Sequence, residues 1–283
     1  MSSHHALRAR SRPDESDMDA WSHGSLATNA RVVRALGMRS IRQTFRRPQL
    51  MAPIVIFPTL LLAIQTGGAG GAVNLPGFPP VQSFLQFMLA GAMMQSLMLA
   101  GNSGGIALAV DIEMGFTDRL FASPIPRFAI VLGRLAGTAA LGLFASLWFL
   151  AIGLIFGAHI EGGVPGALLA IALITASAIA VGGIGAAIAL RTGSASVVQG
   201  LFPLVLVVLF LSSAFVPREL MIEPAKTMAE YNPFSFIVEG VREPIISGIE
   251  AKQTLEAVAA IAGIILLGLA LSASALRHRL RTG

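Results

Sequence analysis

Apolar runs near twenty residues long recur along this chain, and they constrain it more than any motif does. A helix needs about 20 residues, within a range of about 17 to 25, to cross the hydrocarbon core of a bilayer. Six runs meet or approach that length: Gln49–Gln65, Val81–Val110, Arg134–Gly157, Pro165–Leu190, Val197–Phe215 and Ala257–Leu276. Composition agrees, with 54% hydrophobic and 12% charged residues against about 25% charged in an average soluble domain. The first run is short and holds Pro53 and Pro58, which are expected to kink it.

Charge decides whether that short run crosses. Arg31, Arg34, Arg39, Arg42, Arg46 and Arg47 precede it. Arg119, Arg127 and Arg134 lie between the second and third runs, Arg191 follows the fourth, and Arg277, Arg279 and Arg281 follow the sixth. With six crossings all of these fall on one side, as the positive-inside bias requires. The other side receives Arg218, Lys226, Arg242 and Lys252 against Glu161, Glu219, Glu223, Glu230, Glu239, Glu243, Glu250 and Glu256. The expectation is an all-α polytopic membrane protein with six transmembrane helices and both termini cytoplasmic.

Residues 1–24 contain "SRPDESDMD" and no continuous apolar stretch, so they read as a disordered polar tail and not as a secretory signal. His4 and His5 within it are incidental. Residues 25–48 hold "RVVRALGMRSIRQTFRR", where Val33, Leu36, Gly37, Ile41 and Phe45 form one stripe. Such a helix can lie along the membrane surface, apolar side in lipid and arginines among headgroups. Leading straight into a span and lacking interleaved aromatics, it does not read as a nucleic-acid binder. The expected membrane domain occupies 49–276, and 277–283 form a basic cytoplasmic tail.

The span interiors offer little chemistry. Gln82, Gln86, Gln95, Asn102 and Ser103 are the polar groups of the second run, and Gln95 and Asn102, seven apart on one face, are candidates to line a translocation path. No charge stands clearly at a span centre, which argues against a proton relay of buried acids. Gly101/Gly105, Gly133/Gly137 and Gly153/Gly157 have the spacing that lets helices approach closely. There is no cysteine, no phosphate-binding G-x-x-x-x-G-K-[ST] loop, no H-E-x-x-H and no G-x-S-x-G elbow. No catalytic, cofactor-binding or metal residue is therefore expected; Asp111 and Glu113 find no second constellation to make a membrane-embedded enzyme.

Two segments interrupt the apolar pattern. "DIEMGFTDRLFASPIPR" (111–127) carries Gly115 for a turn, Thr117 or Asp118 to cap a short helix, and Pro124 with Pro126 to stop it. "FVPRELMIEPAKTMAEYNPFSFIVEGVREPIISG" (215–248) has apolar stretches too short to cross and prolines at 217, 224, 233 and 244. A pair of short helices dipping into the outer half of the bundle and returning would fit it, provided protein or water covers the backbone.

With these two motifs in a six-span frame, the chain resembles the permease subunits of type 2 ABC exporters, a family that includes drug-resistance and polysaccharide or lipid export permeases. "DIEMGFTDRLFASPIPRFAIVLGR" is similar to the family's cytoplasmic coupling segment, and "YNPFSFIVEGVREPI" to its final extracellular segment with Asn232, Pro233 and Arg242. The resemblance implies that Glu113, Gly115, Asp118, Arg119, Leu120, Ser123 and Pro124 couple the chain to a separate ATPase, and that helix 25–48 touches it too. Many members have Gly-Thr followed by Glu where this chain has Gly115-Phe116-Thr117-Asp118, a point on which the drug-resistance branch is more similar. It further implies two ABC ATPase subunits as partners, holding ATP and magnesium that this chain does not bind, and a second permease subunit. The cargo would be hydrophobic, amphipathic or lipid-linked. The competing reading is a structural or regulatory membrane subunit with no substrate path.

Overall fold

The computed structural model describes residues 26–46, 48–115 and 127–282. Among them every regular element is helical. The chain runs through α1 (Leu26–Phe45), α2 (Pro48–Ala69) with a 3-10 turn Gly70–Asn74, α3 (Phe84–Glu113), α4 (Arg127–Ile155) and α5 (Gly163–Thr192). Two short helices follow, α6 (Ala195–Gly200) and α7 (Phe202–Phe210), then α8 (Ala225–Tyr231), α9 (Pro233–Ile246) and the long α10 (Ala251–Thr282).

Five of these are long and apolar enough to cross a membrane: 51–74, α3, 132–155, α5 and 251–275. The fifth expected span, Val197–Phe215, is broken instead. Its helices cover only Ala195–Phe210, about 24 Å at 1.5 Å per residue, short of a core about 30 Å thick. Pro203 in the first turn of α7 has no N–H to carry the ladder across Leu201. Beyond Phe210, Ser212 Oγ takes the carbonyl of Leu209 at 2.5 Å, a local bond that competes with continued helix.

α2 is longer than its apolar run and passes through both prolines. Pro58 cannot donate to the carbonyl of Ile54 one turn back. Ser96 Oγ of α3 donates to that carbonyl at 2.6 Å, so the gap in one helix is filled by its neighbour. Trp148 of α4 reaches the same helix, donating from Nε1 to Thr59 Oγ1 at 3.0 Å.

α3 is the centre of the bundle, packed by α2, α4, α5, α6 and α9. In its most apolar stretch 94% of the residues are buried, against 17% for α2 and 22% for α10, which form the outside. Small residues allow this crowding. A Cβ on Gly105 would stand 2.9 Å from the backbone of Gly185 in α5, and one on Gly101 2.5 Å from Val181. Gly133 and Gly137 serve a different contact: they face Leu36 and Ser40 of α1. The stripe of α1 that includes Leu36 and Gly37 therefore packs on α4, with Phe45 edge-on to Phe144 at 6.0 Å. The third glycine pair is not a helix face, since Gly157 lies beyond α4 with φ +85°.

Candidate functional site

Of the residues singled out from sequence, α3 carries Gln95, Asn102 and Glu113, and its Phe84 end meets α9, where Pro233 and Arg242 lie. At the Glu113 end, Asp111 forms an ion pair with Arg134 of α4. Both are largely buried, and Arg134 Nη2 also donates to the Ala107 carbonyl at 3.4 Å. Ser40 Oγ of α1 donates to the backbone oxygen of Arg134 at 3.4 Å, so three helices meet at one pair. Beside it Ser40, Thr44, Ser103, Arg134 and Thr138 line a cavity of about 20 Å³, room for about one water molecule. Glu113 reaches the other way and accepts the backbone N–H of Ala195 at 2.7 Å. Gly115 then turns the chain with φ +66°, a left-handed conformation that a side chain would strain. Asp118, Arg119, Leu120, Ser123 and Pro124 lie outside the described residues.

At mid-helix the two path candidates part company. Gln95 is 1% exposed, and neither its Oε1 nor its Nε2 has a hydrogen-bond partner among the described residues. Asn102 is half-buried. The two serines nearby on this helix are satisfied: Ser96 Oγ donates to the Ile54 carbonyl at 2.6 Å and Ser103 Oγ to the Ala100 carbonyl at 2.8 Å.

The Phe84 end is tied to α9. Gln86 Nε2 donates to the carbonyls of His159 and Ile245 at 2.9 and 3.1 Å, and Gln82 donates to Glu161 at 2.5 Å. The backbone N–H groups of Glu161 and Gly162 take the carbonyls of Ile245 and Pro244, so the C-terminal end of α9 is not left with orphan acceptors. Its start is built by Asn232 and Pro233. Asn232 Oδ1 accepts from Phe234 N at 2.9 Å while Nδ2 donates to the Val208 carbonyl of α7 at 2.7 Å, and Pro233 occupies the first helical position.

Arg242 is buried inside α9 at 5% exposure. Its guanidinium lies 3.9 Å from the centre of the Phe87 ring and donates to the carbonyls of Phe87 and Ala214 at 3.3 and 2.8 Å. Gly91 makes room for this, because a Cβ there would stand 2.5 Å from the Ala214 oxygen. Nearby, Glu239 pairs with Arg218 at 2.6 Å and accepts from Ser213 Oγ at 2.6 Å. The turn after α7 is thus clamped between α3 and α9. Among the described residues no group of three or more His, Asp or Glu side chains is gathered as a metal would require.

Sequence reading missed the Asp111–Arg134 pair and the Glu113–Ala195 bond. The signal for the first was present, since these are the border charges flanking the 112–133 interruption; the second joins residues 82 apart and left none.

Among the described residues the chain is a bundle of long apolar helices packed around α3. The chain belongs to the ABC-2 type transporter family, whose pattern matches residues 31–246. It is 28% identical over 197 residues to the Daunorubicin resistance ABC transporter permease protein DrrB1 of Streptomyces coeruleorubidus, covering 69% of this chain and 68% of that one. It is 27% identical over 216 residues to the Putative transport permease ycf38 of Porphyra purpurea, covering 74% and 72%. Membership makes it a multi-pass transport subunit and not itself an enzyme.

Proposed function

We propose that this chain is the membrane half of an ATP-driven exporter in a bacterial plasma membrane, moving a hydrophobic, amphipathic or lipid-linked cargo outward. Two separate ABC ATPase subunits bind ATP and magnesium and grip the segment from Gly115 to Pro124; a second permease subunit completes the complex. The broken segment Ala195–Phe210 with its following turn counts as the sixth crossing, which leaves both termini cytoplasmic. α8 and α9 form the re-entrant outer pair, capped by Asn232 and Pro233 and held by Arg242.

Gln95 is the observation that carries this reading. An amide with both ends unpartnered in a packed apolar interior is costly, so an arrangement that lets water or cargo reach it is favoured by its own polarity. ATP binding and release in the partner bias the bundle between two such arrangements. The resemblance to a daunorubicin resistance permease makes daunorubicin a reasonable probe.

The test is reconstitution of the chain with its ATPase subunits in vesicles. Daunorubicin should cross in an ATP-dependent manner, and Asp118→Lys should abolish that flux while the complex still assembles. Unchanged flux in the Asp118→Lys complex would sink the coupling assignment. Full flux from a complex lacking this chain would make it a structural subunit instead.

A further inference from the structure

We propose that Glu113 is a positioning residue inside the permease: it ties the end of α3 to the broken helix α6–α7, and the ATPase is not its partner. This rests on the reading that force enters through the segment after Gly115. Asp111 and Glu113 are two positions apart on one helix, so they point roughly 200° away from each other. The structure uses both directions. Asp111 grips Arg134 of α4, while Glu113 accepts the Ala195 N–H at 2.7 Å.

That N–H belongs to the first turn of α6, where helices leave donors unsatisfied. Ser194 is the residue type that would ordinarily cap it, but makes no capping bond and shares its hydroxyl with Ser196 at 2.8 Å. The cap comes from Glu113, 82 residues earlier in the chain. Below it, Val198 is buried in one cluster with Leu108 and Ile112 of α3. Movement of the end of α3 therefore carries α6 with it, and α6 leads directly into the segment that Asn232 and Arg242 hold at its far end. Glu113 links the input to the part of the bundle most easily repacked.

Three variants separate this role from others. In Glu113→Ala the cap is lost, and amide hydrogen exchange in residues 195–200 of the purified chain should quicken by about fivefold, the scale of a lost helix cap. The reconstituted complex should keep hydrolysing ATP but export correspondingly less cargo per ATP. Glu113→Gln retains the accepting Oε1 and should match the natural chain in both measurements, which a charge contact with a partner would not allow. Ser194→Asp added to Glu113→Ala supplies a local cap without the tie to α3, so exchange should slow again while export stays low. Unchanged exchange in Glu113→Ala, a Glu113→Gln as defective as the alanine variant, or export rescued by Ser194→Asp would each overturn the assignment. Should the natural complex export nothing with ATP, the transport reading fails by itself, and the exchange pattern still decides the tie.

Discussion

Gln95 and Arg242 are both buried polar side chains, yet they sit in opposite circumstances. Arg242 has an aromatic face and two carbonyls around its guanidinium, while both amide atoms of Gln95 lack a partner. Replacing Gln95 by Leu removes the unsatisfied atoms at nearly constant volume. The purified subunit should then be more stable to thermal unfolding, by about 1 kcal/mol on the scale of a relieved buried polar group. Cargo flux should fall. A destabilised Gln95→Leu would mean that the amide is paired in the assembled protein. Sequence spacing singled out Gln95 with Asn102, but period alone cannot say how deep a residue lies, and only the first of the two is fully enclosed. Arg242 was legible as the basic residue after Asn232–Pro233; its contact with Phe87, 155 residues away, was not.

The bond between Ser96 and the Ile54 carbonyl shows how one helix repairs another. Ser96→Ala should leave that carbonyl orphaned in an apolar interior, at a cost of about 1–3 kcal/mol. Pro58→Ala supplies a backbone N–H to the same carbonyl, so in the double variant the cost of losing Ser96 should largely vanish. A double-mutant cycle on thermal unfolding reads this as a coupling energy; additive losses would disprove the repair. Most elements were legible from apolar length, because continuous runs and flanking arginines need no tertiary information. The exceptions follow from local chemistry. α2 extends beyond its apolar run and through Pro53 and Pro58, with Ser96 filling the bond that Pro58 cannot make. The fifth run breaks at Pro203 and Ser212, where apolar composition is uninterrupted and only backbone donors and acceptors change. The stripe on α1 was visible too, but its packing on α4 depends on Gly133 and Gly137 about a hundred residues later.

The whole molecule turns on whether the broken segment crosses. Five crossings would leave the termini on opposite faces of the membrane, and six would leave them on the same face. The chain contains no cysteine, and a side chain at Gly68 would meet no atom within 4 Å, so Gly68→Cys is a clean reporter. An impermeant thiol reagent should label it on intact cells, while a cysteine appended after Gly283 should react only once the membrane is opened. Labelling of both from outside would overturn the six-crossing topology. The placement of α3 also has a consequence for how the protein is made. This helix is enclosed by α4, α5, α6 and α9, all of which lie later in the chain. Between its last residue, Glu113, and the end of α5, Thr192, the ribosome must add 192 − 113 = 79 residues, roughly 4 to 16 s of synthesis at 5–20 residues per second. Until α4 emerges the helix destined for the centre has only α2 from its final surroundings beside it, and its glycine face stays unpacked until α5 follows. Its lateral exit into the bilayer is therefore the step of biogenesis most dependent on a protein escort.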